Sequence, residues 1–384
     1  MNNPFIYGKI ARGEYFADRE REIAELTSDI LAGQNVILFS PRRYGKTSLI
    51  MEVLDRVRAQ GTMTVYIDLF TVVSEEEFVS AYAKEVAKLC GRGPKSVLRQ
   101  LRGLFPRLIP KVTLRGKGIG FDIEFEFDLR GNHEPILDDL FEAVATLSRK
   151  KGKPAVVVFD EFQEIREWDK GERVQRKMRA HFQHHPEVAY VFMGSKRRLM
   201  RDIFQNVNRP FYQFGKHFVL GKIPPGDFAA FIRRRFESTG FRVEEGAPER
   251  ILAATENHPY YTQLLCHVLW ELLRDKGVVG ERDVDVGIDE VITREAHAFH
   301  ELWDALPLRA RQLLVALVRE GTPRVEIYAG EFLRKHNLGS ASSVQRAVER
   351  LVAAEVLERM DGEYEFTDVF FKRWIQKEFG RLRI

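Results

Sequence analysis

Cysteine is nearly absent from this chain. Cys90 and Cys266 are the only two in 384 residues. Each lies in an apolar helical pattern, and their separation gives neither a disulfide framework nor a zinc site, so both read as small core residues in a reducing compartment. No apolar run reaches the roughly 20 residues of a membrane-spanning helix. The opening Met1-Asn2-Asn3-Pro4-Phe5-Ile6-Tyr7-Gly8 has no basic stretch followed by an apolar one, so no secretory signal is read there, and a cytoplasmic protein with no membrane partner is expected. His181, His184 and His185 have helical i, i+3, i+4 spacing without a further ligand set, and read as a polar helix face. What is present is enough apolar sequence, 44%, to build the cores of two or three domains. The formal charge of +4 is uneven: Gly171 to Arg250 holds 16 Lys/Arg against 8 Asp/Glu, which leaves the rest of the chain at −4. Anion binding is therefore expected in the middle.

The most informative stretch is Val36-Ile37-Leu38-Phe39 running into Ser40-Pro41-Arg42-Arg43-Tyr44-Gly45-Lys46-Thr47-Ser48-Leu49. An apolar strand, a short loop ending in Gly-Lys-Thr and a helix start in register have the chemistry of a phosphate-gripping loop. The candidate binding residues are Pro41, Arg42, Arg43, Tyr44, Gly45, Lys46, Thr47 and Ser48. Loop N–H groups curl around the β-phosphate, Lys46 reaches the β- and γ-oxygens, and Thr47 takes one Mg²⁺ position, with the helix dipole adding to the attraction. ATP or ADP with Mg²⁺ is the expected ligand. The general pattern G-x-x-x-x-G-K-[ST] opens with glycine, and Ser40 stands in its place. Serine before proline predicts a β or polyproline backbone with negative φ, whereas Gly45 keeps the closest approach to phosphate.

Around this loop the sequence alternates strands and helices. Asp18 reads as the cap of a helix carrying Ile23, Leu26, Ile30 and Leu31. The aromatic segment from Phe5 to Phe16 reads as core, with a purine cover as the alternative. Met63 to Leu69 is a strand, followed by a helix capped by Ser74. Residues 110–130 alternate strictly about Gly116, Gly118 and Gly120, predicting an inserted β-hairpin with basic residues facing acids. Pro154 to Phe159 is an apolar strand ending in Asp160 and Glu161, at the edge where open α/β sheets gather ligands. There Asp160 can hold a Mg²⁺-bound water and Glu161 can orient or deprotonate the attacking water. Ala189 to Gly194 is another strand, ending at Ser195, Lys196, Arg197 and Arg198. Arg209 precedes the last one, His217 to Leu220. Gly221 to Asp227 reads as a linker, followed by helical pattern to about Leu306. Three helices and a hairpin at Val356–Arg359 and Tyr364–Thr367 then describe a winged helix. The expected fold is α/β: a P-loop NTPase parallel sheet over residues 1–221, a helical lid over 222–305 and a winged-helix domain over 306–384.

Ser-Pro-Arg-Arg-Tyr-Gly-Lys-Thr-Ser-Leu at 40–49, Val-Val-Val-Phe-Asp-Glu-Phe-Gln at 156–163, and Met-Gly-Ser-Lys-Arg-Arg-Leu-Met at 193–200 together resemble the archaeal-type ATPases. Asn-Arg-Pro-Phe-Tyr at 208–212 and Asn-His-Pro-Tyr-Tyr-Thr-Gln at 257–263 extend the match. That family is a STAND-like branch of the AAA+ ATPases, related in architecture to origin-recognition ATPases. The resemblance implies Walker A roles for Lys46 and Thr47, Walker B roles for Asp160 and Glu161, and a sensor role for Ser195. It further implies an adenine contact at Pro259 and an arginine-finger role for Arg209. The implied activity is an ATP-driven conformational switch, hydrolysing slowly without a partner and with homo-oligomerisation open. An ATP-regulated DNA-binding protein is the alternative. Against DNA, residues 301–384 carry 14 Lys/Arg and 13 Asp/Glu, and the third helix of the tail mixes Gln345 and Arg346 with Glu349. A regulatory winged helix packed on the lid is therefore expected ahead of a DNA reader.

Overall fold

The computed structural model describes residues 2–17, 19–91, 93–115, 120–126, 134–321, 325–360 and 362–380. The expected cap at Asp18, the hairpin turn at Gly116 and Gly118, and Asp361 in the tail hairpin lie outside them. The chain forms two compact units, Ile10–Lys222 and Ile223–Ile384 with Met1–Lys9.

In chain order the first unit contains α1 (Glu20–Leu31), β1 (Val36–Phe39), α2 (Lys46–Ala59), β2 (Met63–Asp68), α3 (Glu75–Ala87), α4 (Pro94–Leu104) and the strands β3 (Ile109–Arg115) and β4 (Gly120–Glu126). It continues with α5 (Glu134–Lys151), β5 (Ala155–Asp160), α6 (Gly171–Phe182), β6 (Val188–Gly194), α7 (Arg197–Gln205) and β7 (Lys216–Val219). Five strands form one sheet in the order β2-β5-β6-β1-β7, every neighbouring pair parallel. The central strands β1, β5 and β6 are buried along their whole length, which is why they read as unbroken apolar runs. Edge strand β2 alternates instead.

Alternation sorts the core into two chemistries. Ile37, Phe39, Phe159 and Phe192 point to a face filled with aromatics, including Phe78, Tyr82, Phe141, Phe182 and Phe211. Val36, Leu38, Val156, Val158 and Val191 point to an aliphatic face covered by Ile23, Leu26, Leu49, Ile50 and Val53 from α1 and α2. Rings stack directly across the sheet's aromatic side, Phe159 on Phe192 at 5.5 Å between centroids. Because the strands run parallel, the ends of β1, β5 and β6 converge on one edge, with Phe39 in register with Gly194. The inserted β3–β4 pair is antiparallel and sets Lys111 opposite Glu124. Helix α4 was not read from the sequence, although Pro94 opens it at a position proline favours.

The second unit contains α8 (Pro225–Glu237), β8 (Arg242–Val243), α9 (Ala247–Ala254), α10 (Pro259–Leu272), β9 (Val278–Val279), α11 (Glu281–Ala305), α12 (Leu308–Glu320), α13 (Gly330–Lys335), α14 (Ala341–Ala353), the hairpin β10 (Leu357–Met360) and β11 (Glu363–Phe366), and α15 (Val369–Phe379). The segment expected to be wholly helical thus includes a short parallel pair, Arg242 with Val278 and Val243 with Val279. Helix α15, also missed, joins the tail to the preceding helices. Trp303 stacks on Phe379 at 4.6 Å and Phe299 meets Phe371 at 5.6 Å. Tyr261 donates to the Thr367 carbonyl at 3.1 Å, Arg373 donates to the Ala254 carbonyl at 2.9 Å, and Lys372 and Lys377 pair with Glu256 and Asp289. The amino-terminal residues complete this unit. Phe5 is buried against Phe236 at 4.6 Å, and Arg235 donates to the Pro4 carbonyl at 3.0 Å. Phe5 is therefore core, and Arg235, within the stretch of basic surplus, is buried at 5% exposure.

Candidate nucleotide-binding site

The loop after β1 takes its sharp turns late. Ser40 is buried with no left-handed backbone, and positive φ falls instead at Arg43 (64°) and Gly45 (84°). Glycine is thus needed for backbone freedom at 45, where an added Cβ would meet nothing within 4 Å, and not at position 40. Arg19 fixes the loop from beneath. Its guanidinium, 3% exposed, donates to the carbonyls of Tyr44 at 3.2 Å and Gly221 at 2.9 Å and to Glu22 at 2.9 Å. Burial lowers its pKa while Glu22 opposes that shift.

Helix α2 starts at Lys46 with Gly45 as its cap residue and no side-chain cap. The first-turn N–H groups of a helix have no partner within it, so this end attracts anions. The Ser48 hydroxyl oxygen accepts the Ala11 N–H at 2.9 Å, tying the segment before α1 to the start of α2. Gly13 N–H also reaches α2, at Glu52, 3.0 Å away.

Side chains from three separate segments meet at the sheet edge. Thr47 Oγ1 donates to Asp160 Oδ2 at 2.9 Å, and Lys46 Nζ donates to Glu161 Oε1 at 3.1 Å. Lys46 also lies 3.7 Å from Asp160 Oδ1. Ser195 Oγ donates to Glu161 Oε2 at 2.8 Å, as does Gln163 Nε2 at 2.5 Å. Glu161 holds this position with φ 50°, in the left-handed region, a conformation that costs a non-glycine residue on the order of 1 kcal/mol. Burial would raise the Glu161 carboxyl. The Lys46 charge, with hydrogen bonds from Gln163, Ser195 and Lys46, outweighs burial and holds it below the ordinary carboxylate range.

Two further residues complete the arrangement without having been singled out in the sequence. Tyr66 OH donates to Asp160 Oδ2 at 2.8 Å. Burial, then the Asp160 charge, push its phenol far above the ordinary value, so it stays a donor. Gln163 is fully buried and also donates to Glu164 at 3.1 Å. Its packing explains Gly194: a Cβ there would lie 2.3 Å from Gln163 Oε1 and 2.5 Å from Met200 Sδ. Lys196 pairs with Glu164 at 3.0 Å. Arg209 is held apart from Lys46 and Glu161 in its bonding, by Asp202 at 3.0 Å and Glu172 at 3.3 Å. Pro259 is the first residue of α10, in the second unit.

Comparison with known proteins bears on the fold and the family. Residues 16–210, just over half of the chain, match the model of an ATPase domain predominantly from Archaea, and residues 297–377 match a probable winged helix domain. A Walker-type ATPase of Pyrococcus abyssi superposes with a TM-score of 0.66 at 18% identity, over 97% of this chain and 99% of that one. The ORC2 protein of Aeropyrum pernix, solved as ADPNP–ADP complexes, gives 0.54 at 14% identity over 98% and 99%. The ORC1 protein of the same organism, in complex with DNA, gives 0.51 at 14% identity over 98% of both chains. At these identities the likeness is one of fold. No curated protein sequence matches. Among the described residues no helix is long and apolar enough to cross a membrane. A parallel sheet with a Gly-Lys-Thr loop, a winged helix later in the sequence and a family match over half of its length make this chain a member of the family of ATPase domains found predominantly in Archaea.

Proposed function

We propose that this protein binds Mg²⁺-ATP at the end of β1, β5 and β6 and hydrolyses it as a conformational switch. One observation carries the reading: Lys46, Thr47, Asp160, Glu161 and Ser195, spread over 150 residues of sequence, are joined side chain to side chain. A buried lysine and hydroxyl against two carboxylates, beside a helix start without a side-chain cap, fit a polyphosphate with a hard divalent cation, which prefers oxygen donors. Thr47 and Asp160 would hold the ion, which when bound neutralises charge on the phosphate oxygens. The chain's own groups do the rest.

Lys46 would exchange Glu161 for the β- and γ-oxygens, since both compete for one ammonium. Glu161, still held by Ser195 and Gln163, is then available to accept a proton from water at the γ-phosphate. Arg209 is the cation offered for the arginine-finger role. Its pairing with Asp202 and Glu172 would have to break first, which would make turnover slow without a partner. Pro259, opening α10, is offered as the adenine contact of the lid, and a cytoplasmic location goes with this reading.

Calorimetry tests the site. Lys46→Ala is expected to abolish tight ATP binding, and Glu161→Gln to preserve binding while slowing hydrolysis at least about tenfold. Turnover intact in both Asp160→Asn and Glu161→Gln would remove the catalytic assignment. A second reading, ATP-regulated DNA binding, draws on α14, where Arg346 and Arg350 are exposed four residues apart. The engagement of Lys372, Arg373 and Lys377 by α9 and α11 and the residues just after α9 favours a regulatory winged helix instead.

A further inference from the structure

We propose that Tyr66 is a positioning residue for Asp160: its hydroxyl fixes the carboxylate so that one oxygen stays open toward a cation-bound water. The inference rests on the Mg²⁺-ATPase reading. Asp160 offers two oxygens with about four acceptor positions. Oδ2 accepts from both Thr47 Oγ1 at 2.9 Å and Tyr66 OH at 2.8 Å. Oδ1 accepts from the Glu161 N–H at 2.9 Å. One acceptor position is left, on Oδ1, the oxygen 3.7 Å from Lys46 Nζ. The carboxylate plane is thereby set by three donors, and only one direction is left for a ligand.

Strand geometry explains why tyrosine serves. In the β2–β5 pair Asp68 is in register with Asp160 and Tyr66 with Val158, so Tyr66 starts two residues back on the same face, about 6.6 Å along the strand. A phenol spans that distance; serine or threonine does not. Lysine would also span it, but its charge would neutralise the carboxylate that has to attract a cation. The ring meanwhile packs on the aliphatic core, which keeps the hydroxyl in place. Of the two donors on Oδ2, the Thr47 hydroxyl also has to serve the bound ion. Tyr66 has no other task at the site, so it holds Asp160 whether or not nucleotide is bound.

The test is Tyr66→Phe, which keeps the ring, read by Mn²⁺ binding to the ADP complex in electron paramagnetic resonance and by fluorescent ADP binding in EDTA. Outer-shell partners of metal ligands are worth 10–100-fold in affinity. Mn²⁺ affinity is expected to fall about tenfold, with affinity for the ADP analogue in EDTA unchanged within about twofold. In an Asp160→Asn background the same change should add nothing. If the Phe variant is unstable, Tyr66→Met repeats the measurement. An equal loss with and without Mn²⁺ would mean that the ring merely supports the fold, and overturns the proposal. Unchanged Mn²⁺ affinity in Tyr66→Phe, with a loss in Asp160→Asn, overturns Tyr66's role and leaves the ATPase reading standing. No loss in either variant overturns both.

Discussion

Adding one methyl group at the end of β6 should disable the site from behind. In Gly194→Ala the new Cβ would lie 2.3 Å from Gln163 Oε1 and 2.5 and 2.7 Å from Met200 Sδ and Cγ. Gln163 and Met200 are 0% and 1% exposed, so neither side chain can leave toward solvent. Overpacking of this kind costs about 1–3 kcal/mol. If Gln163 is the group that yields, its hydrogen bond to the Glu161 carboxylate goes too, and bonds to charged groups contribute about 1.5–3 kcal/mol. Together these come to about 2.5–6 kcal/mol, a melting shift of roughly 5–24 °C for a unit of this size. Thermal denaturation measures the shift, and phosphate release measures the consequence for Glu161. Adding Gln163→Ala should restore much of the stability by making room, yet leave hydrolysis slow because Glu161 has lost a donor. Gly226→Ala is the control, since a Cβ there meets nothing within 4 Å in α8 and alanine favours a helix. A Gly194→Ala protein that melts within about 2 °C of wild type and hydrolyses normally would refute the reasoning.

Other expectations can be checked with the same preparations. Phe5→Ala should destabilise the second unit by about 3–5 kcal/mol, because Phe5 is 1% exposed against Phe236; unfolding followed by a label placed in that unit would detect it. Acid should loosen the α5–α6 contact. Burial would raise Asp138 and Glu142, but hydrogen bonds from Lys177 and His181 to Asp138, and from His181 and His185 to Glu142, hold both carboxyls low. A depressed carboxyl stabilises the fold above its ordinary value and loses that effect as pH falls through the folded value. Stability should therefore drop below about pH 4, with a shallower slope in His181→Gln; identical slopes would contradict the assignment. Reversing Arg346 and Arg350 to Glu should leave nucleotide binding unchanged under the regulatory reading. Loss of salt-sensitive DNA binding in that variant alone would establish the winged helix as a DNA reader.

The candidate site's edge was legible because its residues obey local rules. An apolar run forces β1 and β5 into the sheet, and Gly-Lys-Thr and Asp-Glu each follow directly, so only the meeting of the two loops had to come from the fold. The winged helix was legible for a similar reason, from three apolar periodicities and a hairpin turn. Arg19, Tyr66 and Gln163 were not legible, since each acts on a residue far away or through its own burial. Tyr66 looks like any strand aromatic, and only the register with Val158 turns its hydroxyl toward Asp160. Phe5 carried no sign that it would join the unit beginning more than 200 residues later. The missing first glycine was a departure from a sequence pattern with little structural consequence, because the positive φ falls at Arg43 and Gly45.

Charge along the sequence is a poor guide to charge in space, and the surplus between Gly171 and Arg250 illustrates why. Some of its cations pair within the segment, Arg176 and Arg209 with Glu172 and Arg209 also with Asp202, and others draw their partners from the acidic remainder of the chain. Arg173 pairs with Glu75, Lys177 with Asp138, Lys196 with Glu164, Lys216 with Glu25 and Asp29, and Arg250 with Asp285. Others bind backbone: Arg235 holds the Pro4 carbonyl and Arg233 the Val243 carbonyl. Charge reversal at these positions would therefore unfold contacts before it tested any anion site. Arg198, Arg201 and Arg234 remain exposed, with no carboxylate in ion-pairing distance among the described residues. Any long-range attraction that the middle of the chain exerts on an anion has to come from such cations, in which the opposing charge is not already supplied by the fold.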